Sequence, residues 1–336
     1  MTLDLPLIWA LLIAVAVFAY VMLDGFDLGV GILFPLVRGK AERDVMVNSI
    51  APVWDGNETW LVLGGGGLFA VFPLAYAVLL PALYMPLITM LLALVFRGVA
   101  FEMRFRARSD RDQRRWDRSF QWGSVTAALA QGIALGAFVQ GVKVEGRHYA
   151  GGWWDWLTPF SLLTALALVT GYALLGACWL IWKTEGELQC RFRAVAAPLA
   201  WALLAFIGAV SIAMLVLSPP FRARWLEPPA AFGAGLVPIL LLAMTWIFFS
   251  ALARGREIRP FLCALGFFLV SYIGLGISLW PMMIPPMVSI RDAAAPPMTQ
   301  GFLLVGAAVL IPLVLGYTGF VYWLFRGKVK LGAGYH

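Results

Sequence analysis

The sequence predicts an all-α polytopic membrane protein of nine transmembrane helices, with its N-terminus outside and its C-terminus cytoplasmic. Three observations carry this expectation. Hydrophobic residues fill 62% of the 336 positions and charged residues 13%, against roughly 45–50% and 25% in soluble domains, and mean hydropathy is +0.85. Nine apolar stretches reach the bilayer-spanning length of about 20 residues, at about 7–33, 60–80, 82–103, 119–140, 158–182, 194–217, 231–252, 260–282 and 299–325. With alternate loops assigned to the two sides, nineteen of the 25 Lys and Arg fall on one side, in 38–44, 104–118, 183–193, 254–259 and 326–330. Five fall on the other (Lys143, Arg147, Arg222, Arg224 and Arg291), and Arg97 stays within a span. Positively charged loops are retained in the cytoplasm, so the split sets the orientation, and eight or ten spans would scramble it.

Taken in order, the first span follows Asp4 with no Lys or Arg before it, so it lacks the basic n-region of a cleaved signal peptide and is expected to stay in the mature chain. Gly25 and Gly29 in that span, and the run Gly64 to Gly67 in the second, are small enough to let helices approach closely. The basic loop 104–118 carries seven Arg against Asp110, Asp112 and Asp117; it reads as a topology signal with a solvated face lying near anionic head groups. Trp153, Trp154 and Trp156 precede the fifth span, where an interfacial aromatic belt is expected. The proline-rich segment 218–229 is too short and rigid for a domain, Pro281, Pro285 and Pro286 end the eighth span, and 293–297 is a turn. The whole chain, 1–336, thus reads as a single transmembrane domain.

The formal charge of +7 is what cytoplasmic loops of a membrane protein require, and it points to membrane lipid and not to nucleic acid. Cys178, Cys190 and Cys263 are odd in number and widely spaced, which supports packing roles and neither a disulfide framework nor a zinc site.

Thirteen of the eighteen acids fall in loops. The other five, Asp24, Asp27, Asp55, Glu58 and Glu102, lie in or at the edge of spans, as does Arg97. Such groups usually face a bundle interior and mark an ion or proton route. The topology gathers all six in the cytoplasmic half. Asp24 and Asp27 share a helix face, and two carboxylates in low dielectric tend to hold a proton between them, as a relay needs; Arg97 could instead hold one ionised, or both acids could serve only as neutral hydrogen-bonding groups. Asp55 with Glu58 three residues later also fits a capping box, which does not exclude proton traffic. Trp54 and Trp60 flank this acidic turn as interface anchors or pocket walls. Only His148, in an outer loop, and His336 are histidines, so no span offers an imidazole to haem or copper, and any metals of a redox complex are expected on a partner.

DGFDLGVG at 24–31, NSIAPVWDGNETW at 48–60, GGGGLFAVFP at 64–73, FRGVAFEMR at 96–104 and the WLFRGK ending at 323–328 resemble subunit II of the cytochrome bd family of quinol oxidases, with a length similar to its cyanide-insensitive branch. The resemblance implies a heterodimer in the bacterial cytoplasmic (inner) membrane. In it subunit I carries two b-type haems and one d-type haem, quinol is oxidised near the outer face, and dioxygen is reduced to water with cytoplasmic protons, generating a proton-motive force without pumping. Subunit II would be haem-free, with room in the family for a small accessory subunit and a quinone held as a structural ligand. By motif, Asp27 resembles the second aspartate of DGFD. Asp55 matches that of WDGN, which lines a hydrophilic proton path at the subunit interface, and Trp60 a tryptophan beside a dioxygen channel. Glu102 stands where some relatives have aspartate. The alternatives are a proton-coupled transporter, weakened by the lack of an inverted repeat, and an inert scaffold, which leaves the five carboxylates unexplained.

Overall fold

The computed structural model describes residues 4–228 and 230–330; Pro229 and His336 lie outside them. Its helices are α1 (Leu5–Ile32), α2 (Lys40–Ile50), α3 (Trp54–Val71), α4 (Pro73–Ala82), α5 (Tyr84–Phe105), α6 (Asp110–Gln140), α7 (Pro159–Lys183), α8 (Gly186–Leu217), α9 (Pro219–Leu226), α10 (Ala230–Ala234), α11 (Leu236–Ala253), α12 (Ile258–Leu279), α13 (Ile290–Ala293) and α14 (Pro297–Leu324). Two short hairpins, β1 (Val144–Glu145) with β2 (His148–Tyr149) and β3 (Met282–Ile284) with β4 (Val288–Ser289), complete it. Eight of these helices are long and apolar enough to cross a membrane: α1, α5, α6, α7, α8, α11, α12 and α14. The chain is a polytopic helical membrane protein.

The second expected span, 60–80, is not one helix. It is α3 followed by α4, broken at Phe72, whose ψ of 61° leaves the helical range. The cause is local. Pro73 has no N–H to return to Phe69, and its ring crowds that carbonyl. Proline at the first position of a helix is tolerated, so α4 restarts there at once. The break leaves the Val71 carbonyl free to accept 2.7 Å from the Ala295 amide, so the turn before α14 is pinned to it. Two further boundaries move. α6 begins at Asp110 and α8 at Gly186, so helix extends well beyond the apolar windows 119–140 and 194–217.

α7 is the axis of the bundle. Residues 171–181 are buried without interruption, as expected of a helix apolar on all sides. α1 packs against it at glycine distance: a Cβ on Gly29 would overlap the Tyr172 carbonyl oxygen, and one on Gly176 would overlap Gly29. Of the run Gly64 to Gly67, only Gly64 and Gly67 face α1, meeting Val17 and Ile13, while Gly65 and Gly66 face open space. Cys178 and Cys263 are buried as packing residues, but Cys190 is exposed and does not pack as expected.

The basic segments meet at one end of the bundle, and there the solvated face expected of 104–118 is only part of the picture. Arg104 is 1% exposed. Its Nε donates 3.0 Å to Asp117 and its Nη1 2.8 Å to Asp44, while Arg43 Nη1 donates 2.9 Å to the other Asp117 oxygen. The rings of Phe34 and Phe105 stack 5.7 and 5.0 Å from the Arg104 guanidinium. Asp44 and Asp117 therefore clamp α2, α5 and α6 together, because a buried guanidinium must be paired. At the opposite end Asp4 accepts from Leu7 at the start of α1 and pairs with Arg291 at 2.8 Å.

Candidate functional site

Four charged groups converge near the basic end of α1, α3 and α5. Asp24 and Asp27 project from α1 and are fully buried, and Arg97 on α5 is 1% exposed. Arg97 Nη1 donates 2.6 Å to Glu58 Oε1 on α3 and 3.3 Å to Asp24 Oδ1. Glu58 is the member nearest the surface, its side chain 26% exposed. The faces of Trp54 and Phe120 lie 6.0 Å from the guanidinium, which suits a desolvated cation. The sequence brings them together by helical arithmetic: Asp24 and Asp27 are three apart on one face, and Glu58 enters at the start of the returning helix.

Asp27 has different partners. Its Oδ2 accepts 2.7 Å from the side-chain amide of Asn57, which also donates 3.2 Å to the Leu23 carbonyl and accepts 2.9 Å from the Tyr322 hydroxyl. The two aspartates thus share a helix face but no hydrogen bond, and Arg97 engages Asp24 and not Asp27. Close by, the Tyr172 hydroxyl donates 2.7 Å to Gln131 Oε1 and Gln131 Nε2 donates 2.7 Å to the Tyr20 hydroxyl. Tyr20 lies one turn before Asp24, so an uncharged polar chain runs from the cluster toward α6 and α7.

The remaining expected residues sit apart from this buried group. Asp55 is exposed in the first turn of α3, and the capping box is absent: the N-cap is Val53, with no side-chain capping bond. Glu58 cannot serve as the box's return partner because its carboxylate is committed to Arg97. Glu102 is exposed on α5. Trp60 is buried, at 2% exposure, and walls an apolar groove of ≈ 270 Å³ between α3 and α14, with Leu63, Gly66, Leu310 and Val314 around it. Asn57, Tyr322, Gln131 and Tyr20 were not expected. Tyr20 had a signal in its i, i+4 spacing from Asp24, and Asn57 in its place within WDGN; neutral polar residues in apolar runs do not otherwise stand out.

Among the described residues no group of three His, Cys, Asp or Glu could hold a metal, and the described histidine, His148, is exposed on β2.

The bundle and its buried ionisable cluster define a polytopic membrane protein with a charged site enclosed among its helices. The sequence pattern of the cytochrome bd terminal oxidase subunit II family matches residues 5–325. The chain is 29% identical to the cytochrome bd-I ubiquinol oxidase subunit 2 of Escherichia coli K12, over 97% of this chain and 95% of that protein. It is 30% identical to the probable cytochrome oxidase subunit 2 of Haemophilus influenzae, with the same coverage, and 27% identical to the cytochrome bd ubiquinol oxidase subunit 2 of Bacillus subtilis, covering 96% of each. A chain of the bd oxidase structure from Geobacillus thermodenitrificans superposes with a TM-score of 0.74 at 17% identity, over 96% of this chain and 99% of that one, which shows a shared fold. The chain therefore belongs to the cytochrome bd terminal oxidase subunit II family. It is a terminal oxidase subunit of the bacterial cytoplasmic membrane, and membership favours this reading over a transporter.

Proposed function

We propose that this chain is the haem-free subunit of a heterodimeric quinol oxidase, and that Asp24, Asp27, Glu58 and Arg97 form its cytoplasmic proton path. A partner subunit supplies the two b-type haems and the d-type haem, where quinol is oxidised and dioxygen reduced to water. The observation that carries the reading is a buried carboxylate–arginine cluster, inside a chain of this family, whose shallowest member reaches the basic end. Asp24 Oδ2, Asp27 Oδ1 and Arg97 Nε and Nη2 are buried without protein partners; such groups are normally satisfied by ordered water, which is also what passes protons between fixed carboxylates. Asp55 and Glu102, exposed at the same end, form the mouth of the path toward the partner. The groove beside Trp60 is apolar enough to carry dioxygen.

The same reading takes the whole chain as one transmembrane domain with nine crossings, α3 and α4 together forming the ninth. Its N-terminus is outside and its basic end cytoplasmic, in keeping with the distribution of Lys and Arg. The test is purification of the tagged chain from membranes and a reduced-minus-oxidised spectrum. Haem bands that co-purify with a second, histidine-bearing subunit are expected; a colourless single chain that retains its fold would overturn the assignment.

A further inference from the structure

α14 is held at its two ends. Most of its length is exposed, and along α14 only Gln300 is fully enclosed, with the Trp9 indole donating 3.1 Å to its carbonyl. At the other end the chain turns back as a strap, 325–330, across the ends of α7 and α12. Lys183 Nζ donates 2.6 Å to the Phe325 carbonyl, and the Val329 amide donates 2.8 Å to the Lys183 carbonyl. Lys328 Nζ pairs with Glu257 at 2.7 Å, and Gln189 donates 2.9 Å to the same carboxylate oxygen. Three residues before the strap stands Tyr322. Its ring meets Phe26 and Trp179 edge-on, and its hydroxyl reaches Asn57, the residue that holds Asp27.

We propose that Tyr322 and Asn57 are positioning residues that set the Asp27 carboxylate for proton transfer, and that the 325–330 strap, through Lys328 and Glu257, keeps Tyr322 in register. The inference rests on the proton-path reading above. The chemistry is directional. The Tyr322 hydroxyl is the donor to Asn57 Oδ1, and with the bond from Nδ2 to the Leu23 carbonyl it fixes the amide so that its Nδ2 points at Asp27; without the hydroxyl the amide loses one of these two anchors and its hold on the carboxylate loosens. The strap follows Tyr322 by three residues and is tied to Lys183 and Glu257, so it adds a polar anchor to the end of α14 that carries the ring.

The test is Tyr322→Phe in the purified two-subunit complex, which removes one hydroxyl and keeps the ring. Quinol oxidase turnover should fall about three- to tenfold, the range expected for one buried hydrogen bond, with the KM for quinol and the haem content unchanged. The infrared carboxyl band that disappears in Asp27→Asn should move in Tyr322→Phe. Lys328→Gln should lower turnover in the same direction, and the swap of Glu257→Lys with Lys328→Glu should restore it. If Asp27→Asn slows turnover but Tyr322→Phe changes neither turnover nor the carboxyl band, the positioning role is wrong and the proton path stands. If Asp27→Asn itself turns over normally, both fail. Should Tyr322→Phe not assemble, Lys328→Gln and its rescue decide the matter.

Discussion

Arg97 and Glu58 meet at 2.6 Å, and the same guanidinium nitrogen reaches Asp24 at 3.3 Å, so one buried cation holds carboxylates from two other helices. Removing it should leave those acids uncompensated. Breaking a buried pair by deleting one partner costs about 3–5 kcal/mol, so Arg97→Gln should lower the melting temperature of the complex and its yield. Arg97→Lys, which keeps the charge but not the fork, should lose less. Thermal unfolding followed by haem absorbance measures both.

The four acids near the cluster should not respond alike. Asp24 and Asp27 are fully buried and Asp55 and Glu102 are exposed. Turnover should therefore fall most in Asp24→Asn and Asp27→Asn, and less in Asp55→Asn and Glu102→Gln, whose place at the mouth allows water to substitute. Oxygen-electrode assays at matched haem content give the ranking.

Trp60 walls the apolar groove between α3 and α14. Trp60→Ala should change the apparent KM for dioxygen more than that for quinol, since the groove it reshapes is apolar. Equal effects on both substrates would remove Trp60 from the oxygen path.

At Gly29 there is no space for a methyl group, because it would overlap the Tyr172 backbone, which cannot yield as a flexible side chain can. Gly29→Ala should force α1 and α7 apart at a cost of about 1–3 kcal/mol, seen as reduced assembly. Gly66→Ala, where the position is open, should assemble normally.

The strap carries a pH dependence. The hydrogen bond from Lys328, helped by that from Gln189, holds the Glu257 carboxyl below the usual carboxylate range. A carboxyl depressed in the folded state stabilises above its ordinary value of about 4.3, and the contribution is lost as pH falls through the depressed value. Hydrogen exchange in 326–330, measured relative to the intrinsic amide rate at each pH, should therefore stay slow from neutral pH down to about 5 and rise only in stronger acid. In Glu257→Gln it should already be fast at neutral pH.

The long helices were legible because bilayer length and apolar composition constrain them, and Lys and Arg placement arranged their ends. The break at Phe72 was not read, although Pro73 signalled it, because the apolar run continues through it. In the site, Asp24, Asp27, Glu58 and Arg97 were visible as charges within apolar segments. Their pairing was not, since sequence places a residue on a helix but does not fix the rotation of one helix against another. The same missing rotation hid the exposure of Asp55 and Glu102. Asn57 and Tyr322 escaped because they are neutral and lie 265 residues apart in the chain.

Protons, in the function proposed above, pass from the cytoplasmic side through the buried cluster of this chain. The most direct test is proton uptake during dioxygen reduction by the complex in oriented vesicles, with a pH dye on the side of the basic loops, comparing wild type with Asp27→Asn at equal haem content. Uptake from that side is expected in the wild type, slowed about tenfold or more in the variant together with turnover. Uptake at the wild-type rate in Asp27→Asn and Asp24→Asn, or uptake from the opposite side, would contradict it.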